Sequence, residues 1–170
     1  VDRLNGLISQ FLDYTGQREL NLSPRDPAPI IEGVLELFRN RPTDNQIEVI
    51  FEYPADDPIT ANLDAEAFQQ VIWNLLNNAA EALRSTRDPR VRIALSRATS
   101  AVELLVEDNG HGIDDDDVEL VFQPFFTTKS TGTGLGLATI YRIVEDHRGT
   151  IRVAPHGTLG GASFRITLPA

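Results

Sequence analysis

Residues 65–85 (AEAFQQVIWNLLNNAAEALRS) constrain the fold of this chain more than any other stretch. Apolar residues fill most positions of a 3.6-residue period, which predicts a helix buried around most of its circumference, with Asp64 as its N-cap. The polar residues recur every four positions and share one face: Glu66, Gln70, Asn74 and Asn78. Such a helix must lie in the core of a folded domain and leave one amide-lined stripe uncovered.

The segments on either side of this helix alternate between helical and strand patterns. Helices are predicted over residues 30–41, 114–122 and 135–149, the last one closed by Gly149. Strands are predicted over residues 46–54, 59–63, 90–97, 101–108, 150–156 and 162–169. We therefore expect an α+β fold, a two-layer sandwich with the helices on one face of a sheet.

The N-terminal residues follow a different pattern. Residues 1–14 carry apolar side chains at close to heptad spacing, which predicts one helix of a coiled coil or bundle, ended by Gly16. A lone helix of about 14 residues is marginal in water, so its partner helix is expected outside this chain or in a second copy. The expected organisation is a partial bundle helix over 1–16, a linker over 17–26 and a globular domain over 27–170.

Charge and composition exclude several classes of protein. The 25 acidic and 15 basic residues give a formal charge of −10, which argues against a protein that binds duplex nucleic acid. The absence of cysteine excludes disulfides and thiolate metal sites, and three scattered histidines argue against zinc. No apolar run approaches the roughly 18 residues of a membrane span. A polyanion would therefore have to be bound through a metal ion or backbone donors.

Three asparagines in the middle of the long helix need a reason: Asn74, Asn77 and Asn78. Asparagine is less favourable than alanine in a helix by roughly 0.5 kcal/mol. One alternative is a solvated stripe. The other is a ligand site, which three asparagines within five residues favour. An amide oxygen is a hard neutral ligand suited to Mg²⁺.

A strand predicted to end at Glu107 brings Asp108 to a turn that contains Gly110 and Gly112. A carboxylate in this place can accept hydrogen bonds from an amino group. The alternative is an Asp-Asn-Gly turn without a binding role, since such turns are common.

The stretch GTGLGL, residues 132–137, places three glycines at alternate positions before a helix. Glycine costs about 0.5–1 kcal/mol relative to alanine in ordered structure, so three of them indicate close approach of the backbone to a ligand. Free N–H groups at a helix N-terminus favour phosphate. The stretch is neither a dinucleotide-binding fingerprint, because Leu137 stands where a glycine is required, nor a P-loop.

Taken in order along the chain, four motifs resemble the ATP-binding domain of sensor histidine kinases, within the superfamily of gyrase, Hsp90, histidine-kinase and MutL ATPases. They are the N box NLLNNAAEAL, the G1 box DNGHGI, the F box FQPFF and the G2 box GTGLGL. The resemblance covers residues 27–170 and is greatest to the nitrogen-regulation class. It implies the Bergerat ATP-binding fold, with a mixed sheet of about five strands and three main helices on one face.

The resemblance also implies roles for individual residues. Asn78 would be the Mg²⁺ ligand, Asn74 would face the phosphates or the water shell of the metal, and Asp108 would accept the adenine amino group. The remaining implied contacts lie near the base (Gly110, Gly112), at the anchors of a lid (Phe122, Phe125, Phe126) and along the lid and its phosphate contacts (Lys129, Gly132, Thr133, Gly134, Leu135, Gly136, Leu137). Plain packing is the alternative for the phenylalanines. Further candidates for phosphate contact, with solvation as the alternative, are Arg84, Arg87 and Arg142.

Position 74 separates two chemistries. In the gyrase and Hsp90 branches, the resemblance implies that this position corresponds to a catalytic glutamate that activates water. The amide of Asn74 has no useful basicity. We therefore expect slow hydrolysis of ATP and transfer of the γ-phosphoryl group to another nucleophile, with Asn74 and Lys129 at the reacting end. None of the three histidines fits the acceptor pattern, so we do not expect the chain to phosphorylate itself.

The resemblance implies a protein-histidine kinase of a two-component system that uses ATP and Mg²⁺. Its acceptor histidine would lie on a dimerisation bundle upstream of Val1, its next partner would be a response regulator, and the full-length protein would be a homodimer. The domain is expected in the cytoplasm, with any membrane anchor upstream and no nucleic-acid partner. Three alternatives stay open: a clamp driven by ATP hydrolysis, a degenerate nucleotide-binding module, and a serine kinase of the same superfamily.

Overall fold

The computed structural model describes residues 19–41, 46–129 and 132–170. Their helices are α1 (Pro27–Arg39), α2 (Ala65–Ala82) and α3 (Gly136–Asp146). Their strands are β1 (Ser23–Arg25), β2 (Glu48–Glu52), β3 (Ala61–Leu63), β4 (Arg90–Ala98), β5 (Ala101–Asp108), β6 (Thr150–Ala154) and β7 (Ser163–Pro169). The α+β class expected from the sequence is confirmed.

Five of the strands form one mixed sheet in the order β2-β4-β5-β7-β6. Strands β2 and β4 run parallel, and the other neighbours run antiparallel. Because side chains alternate along a strand, the buried residues of β4, β5 and β7 face the helices and the polar residues face the other side. The predicted two-layer sandwich is therefore confirmed, and β1 and β3 pair separately beside it.

Helix α2 lies at the centre of the helical layer, and its start confirms the expectation for Asp64. The Asp64 Oδ1 atom accepts hydrogen bonds from the backbone N–H groups of Glu66 and Ala67, both at 3.0 Å. Apolar residues around most of the helix are buried in a core shared with α1, α3 and the sheet. The stripe that carries Asn74 and Asn78 is only partly covered. The helix thus keeps one polar face open, as its periodicity predicts.

One predicted helix does not form, and another begins earlier than predicted. The prediction of a helix over residues 114–122 is wrong, because Asp115–Asp117 form one 3-10 turn and the residues after it form successive turns. Aspartate is a poor residue for a helix interior, and successive like charges repel each other. Helix α1 begins at Pro27, earlier than the predicted residue 30, because the Asp26 side chain caps it there.

The end of α3 is closed by Gly149, whose N–H donates to the Val144 carbonyl at 2.8 Å. The left-handed residue after α3 is Arg148, with φ 57°. Gly149 is also required for space, because a Cβ there would lie 2.6 Å from the carbonyl oxygen of Thr167.

The predicted bundle helix over residues 1–16 lies outside the described residues. Within the predicted linker, Ser23–Arg25 pairs with β3, and the N–H of Asn21 donates to Asp64 Oδ2 at 2.8 Å. This segment is therefore attached directly to the start of α2. Within the described ranges, no helix has the length and apolar character that crossing a bilayer requires.

Candidate functional site

A cavity of about 890 Å³ opens between α2, the end of β5 and the loop before α3. Its size falls within the usual range for small-molecule sites. It brings together residues predicted from four separate motifs: Asn74, Asn78, Asp108, Gly112, Phe126, Lys129, Gly132, Thr133, Gly134, Leu135, Gly136 and Leu137. The tertiary structure therefore assembles in one place what the sequence spreads over more than sixty positions.

Among the residues implied near the base and along the lid, three do not line the cavity. Gly110 lies behind it, where its N–H donates to Asp108 Oδ1 at 2.8 Å. Phe122 packs on the core and on Tyr141, with 5.6 Å between ring centroids. Phe125 is 62% exposed and takes a left-handed conformation, with φ 68°. The contacts of Phe122 correspond to its packing alternative.

The asparagines of α2 differ in their surroundings. Asn77 is occupied, because its Oδ1 accepts a hydrogen bond from Arg41 Nη1 at 2.7 Å. Asn78 Nδ2 is buried, and no described residue lies within hydrogen-bond distance of it. The space beside this amide is open, since a Cβ on Gly136 would still be 3.9 Å from both of its polar atoms. A buried amide without a partner is unfavourable, so its place in a cavity wall indicates a ligand.

Asp108 ends β5 with a side chain that is only 4% exposed. Burial raises the pKa of Asp108, and the hydrogen bond from the Gly110 N–H opposes that shift in part. The backbone of Asp108 is held on both sides, by donation to the Ala162 carbonyl at 3.1 Å and by acceptance from the Gly161 N–H at 3.0 Å. The carboxyl group is therefore fixed in the cavity wall before any ligand arrives.

Sequence reasoning missed Gly161 in this part of the site. A Cβ on Gly161 would lie 2.2 Å from Asp108 Oδ1 and 2.5 Å from the Gly110 nitrogen. Gly112 is needed in a similar way, with φ 77° and only 2.6 Å between a Cβ there and the Pro155 carbonyl oxygen. The Gly-Gly pair at 160–161 is the only sequence feature that indicates a close approach here, but Asp108, which Gly161 contacts, is more than fifty residues away in the sequence.

Residues 126–129 and 132–135, before α3, line the other side of the cavity. Gly134 has φ 68°, and a Cβ there would come within 2.4 Å of the Phe125 carbonyl carbon. The Phe125 N–H donates to the Gly134 carbonyl at 2.9 Å, which ties the two ends of the loop together. Helix α3 then starts without a side-chain cap at Leu135. Its first N–H groups and its positive dipole end therefore lie at the cavity wall.

The charged residues of the cavity include partners that the sequence did not indicate. Lys129 Nζ lies 2.5 Å from Glu81 Oε2, so α2 and the loop are joined across the cavity mouth. Arg84 lines the cavity, whereas the fully exposed Arg87 is near Asp88 at 4.0 Å and Arg142 lies outside the lining. No group of three acidic or histidine side chains that could hold a metal ion occurs in the described part of the chain.

Arg41 is a second cavity residue that sequence reasoning missed. Its guanidinium lies 3.7 Å from the centroid of the Phe38 ring and 5.5 Å from that of Trp73. Burial lowers the pKa of Arg41. Together with its bond to Asn77, these contacts hold a cation at the end of the cavity opposite Asp108 along α2.

Residues 63–170 match the protein family described as histidine kinase-, DNA gyrase B-, and HSP90-like ATPase. A curated relative, the sensor histidine kinase ZraS of Escherichia coli O157:H7, is 36% identical over 169 residues, which cover 99% of this chain and 35% of the relative. The chain thus spans about a third of the length of that relative.

Solved structures of histidine kinases share the fold. The histidine kinase ThkA in complex with the response regulator protein TrrA has a TM-score of 0.81 at 27% identity, covering 99% of this chain and 47% of that one. Full-length ShkA in complex with AMPPNP has a TM-score of 0.80 at 27% identity, covering 99% and 36%. The expected mixed sheet with three helices is therefore found in known histidine kinases.

Proposed function

Because the chain belongs to the family of histidine kinase-, DNA gyrase B- and HSP90-like ATPases, we propose that it binds Mg-ATP in this cavity and positions the γ-phosphoryl group for transfer to a histidine. The matched relatives with this domain are sensor histidine kinases. One observation carries the proposal: three groups face the same cavity, the buried carboxyl group of Asp108, the Asn78 amide with a nitrogen that lacks a partner, and the uncapped N-terminus of α3. These three features suit a nucleobase, a metal ion and phosphates respectively.

The base is assigned to the Asp108 end of the cavity. Its carboxylate, held by Gly110 and the neighbouring backbone, would accept the amino group of adenine. Gly112 lines the same end and leaves the surface free of a side chain where a flat ring has to approach. This arrangement supports recognition of adenine rather than of the triphosphate alone.

The phosphates are assigned to the opposite wall, made by residues 132–137 and the start of α3. Thr133 and Leu135 line this wall with Gly132, Gly134, Gly136 and Leu137. The backbone N–H groups there and the helix dipole would bind the phosphate oxygens. Lys129 can add a charge once it leaves Glu81.

Mg²⁺ fits the residues present at Asn78. The atom of Asn78 that lacks a partner is Nδ2, a donor, so the amide would have to rotate and exchange its nitrogen for its oxygen to face a cation; Asn74 lies one turn earlier on the same face. In the absence of an acidic cluster among the described residues, the phosphates and water would supply the other ligands. The ion would neutralise charge on the phosphates during transfer.

Transfer to another nucleophile is favoured over hydrolysis. The amide of Asn74 cannot take a proton from water. His147 cannot serve as the acceptor, because it is buried and its two ring nitrogens contact the Asp64 N–H at 3.0 Å and the Ile143 carbonyl at 2.7 Å. Because none of the three histidines fits the acceptor pattern of the family, we place the accepting histidine on a dimerisation bundle of the homodimeric full-length kinase, with a response regulator as the next acceptor.

The proposal is tested by calorimetric titration of the chain with ATP, with and without Mg²⁺. We expect binding of one ATP per chain that Mg²⁺ strengthens, with loss of binding in Asp108→Ala and loss of the Mg²⁺ effect alone in Asn78→Ala. Glu103→Ala is the matched control, because Glu103 lies on β5 away from the cavity and pairs with Arg165 on β7. A folded wild-type chain that binds no ATP would contradict the proposal and leave the degenerate module.

A further inference from the structure

Glu107 is a buried carboxylate next to Asp108 that the proposed function does not use. Its side chain is only 3% exposed, yet it does not line the cavity. Its Oε1 accepts the Thr158 N–H at 3.1 Å, and its Oε2 accepts the Thr158 hydroxyl at 2.8 Å. Arg92 Nη1 donates to the same Oε2 at 3.3 Å. Two of the hydrogen bonds made by Glu107 therefore go to one residue of a distant loop.

That residue belongs to the β6–β7 loop, residues 155–162, which forms the back of the base site. The Gly157 N–H donates to the Gly161 carbonyl at 2.6 Å, and the Gly161 N–H donates to the Asp108 carbonyl at 3.0 Å. At its other end, the Pro155 carbonyl accepts the Ile113 N–H at 3.1 Å. The loop thus contacts both Asp108 and the glycine turn that follows it.

Contact between this loop and Asp108 is close enough to transmit small displacements. A Cβ added at Gly161 would lie 2.2 Å from Asp108 Oδ1, and a Cβ added at Gly157 would lie 2.8 Å from Glu107 Oε1. The loop is therefore packed between the two neighbouring carboxyl groups. Any shift of Thr158 away from Glu107 would loosen Gly161 against Asp108.

We propose that Glu107 is a positioning residue: by anchoring Thr158 it holds the β6–β7 loop against Asp108, and it thereby sets the preference of the site for adenine over bases without an amino group. The inference rests on the proposed function, in which Asp108 accepts that amino group. A site that hydrogen-bonds a substrate N–H discriminates strongly against analogues without it, provided that the acceptor is held in place.

The charge of Glu107 suits an anchor. Burial acts to raise the pKa of Glu107, but hydrogen bonds from the Thr158 N–H and hydroxyl, from Ser163 and from Arg92 outweigh it, so the pKa lies below its usual value. Arg92 is itself fixed by Glu52 at 2.8 Å. The anchor therefore stays ionised at neutral pH, where its bonds to Thr158 are strongest.

The test compares binding of ATP and of inosine triphosphate, which carries the same phosphates but no amino group on its base. We expect wild type to prefer ATP, and Glu107→Gln to reduce the ratio of the two affinities on the order of tenfold, mainly by weakening ATP binding. Glu103→Gln is the matched control, because it removes a carboxylate and its pairing with Arg165 from the same strand and face without touching the loop. Its ratio should equal that of wild type.

A second variant keeps the test independent of how well Glu107→Gln folds. Thr158→Val removes the hydroxyl but keeps the backbone N–H, so it should lower the ratio less, and Thr158→Ser should restore it. An unchanged ratio in both Glu107→Gln and Thr158→Val, or an equal loss for both nucleotides, would overturn the inference alone. A wild-type chain that binds neither nucleotide would overturn the proposed function as well.

Discussion

At the scale of single residues, Glu107 and Asp108 show how neighbouring carboxyl groups acquire opposite properties. Both are almost fully buried at the end of β5. For Glu107, hydrogen bonds and Arg92 outweigh the effect of burial and lower the pKa, whereas for Asp108 burial dominates and raises the pKa. Glu107 is therefore stabilised in its ionised form by its own chain. Asp108 is ionised at a cost, which a ligand that donates hydrogen bonds would offset.

This contrast predicts opposite effects on stability at pH 7. Glu107→Gln should lower the free energy of unfolding by about 1–3 kcal/mol, because charged hydrogen bonds are lost. Asp108→Asn should leave it unchanged or raise it, while removing ATP binding. Urea unfolding of each variant at several pH values is the measurement. A strongly destabilised Asp108→Asn would show that the backbone contacts of the carboxylate outweigh its burial.

The signs of the pH dependence follow from the two pKa shifts. The stability that Glu107 contributes is present above its unfolded pKa of about 4.3 and is lost as the pH falls through the lower folded value, so the deficit of Glu107→Gln should shrink below pH about 4. Because its pKa is raised, the protonated carboxyl group of Asp108 stabilises the folded state at low pH, and this contribution to stability is lost as the pH rises. Any gain of Asp108→Asn should therefore develop as the pH rises above the unfolded pKa of about 3.9 and be complete above the raised folded pKa.

At the scale of elements, the loop before α3 depends on glycine for two different reasons. Gly134 needs both a positive φ and the absence of a Cβ, because the backbone of Phe125 lies against it. A Cβ on Gly136, the first residue of α3, would reach only ordinary contact with Asn78, at 3.9 Å, and the absence of a side chain there leaves the start of α3 accessible to a ligand. The loop therefore combines one rigid junction with one open surface, and a substitution should act differently at each.

We predict that Gly134→Ala weakens ATP binding by roughly tenfold or more, because strain of about 1–3 kcal/mol displaces the loop. Gly33→Ala is the matched control: Gly33 is exposed on α1, and a Cβ there would meet no atom within 4 Å. That change should raise the free energy of unfolding by about 0.5–1 kcal/mol and leave ATP binding unchanged. Calorimetry and thermal unfolding measure both, and normal affinity in Gly134→Ala would refute a required junction.

At the scale of the whole molecule, the two-layer architecture makes the cavity. Helix α2 supplies amides, the end of β5 supplies a carboxyl group, and α3 supplies its N-terminus, all on the helical side of one mixed sheet. His147 is buried and bonded to the Asp64 N–H, and the segment before α1 is tied to α2 through Asp64. A bundle attached to that segment would thus be joined to the central helix of the cavity.

The corresponding prediction concerns phosphoryl transfer. Incubated alone with Mg-ATP labelled in the γ-phosphate, the chain should incorporate no label. Mixed with the separately expressed acceptor bundle of a matched sensor kinase such as ZraS, it should produce an acid-labile phosphorylated bundle, and Asn78→Ala should not. Steady release of phosphate without any acceptor would favour the clamp-like ATPase instead.

Local periodicity and local chemistry were enough to predict the main elements and the motifs of this protein. The repeat of apolar residues along 65–85 defined α2, its cap Asp64 and its amide stripe, and alternation defined β4, β5 and β7. The order of four motifs indicated the family, and eleven of their predicted residues line one cavity together with Lys129. These features could be predicted because each depends on residues within one or two turns or one strand.

Only the tertiary structure decided which groups are partners. Lys129 meets Glu81, Arg41 meets Asn77, and Glu107 meets Thr158 across 48, 36 and 51 positions of the chain. The same holds for Gly149, whose neighbour on β7 makes it necessary. The physical reason is that periodicity records which face of an element is buried, whereas the atom that a side chain meets depends on how separate elements pack.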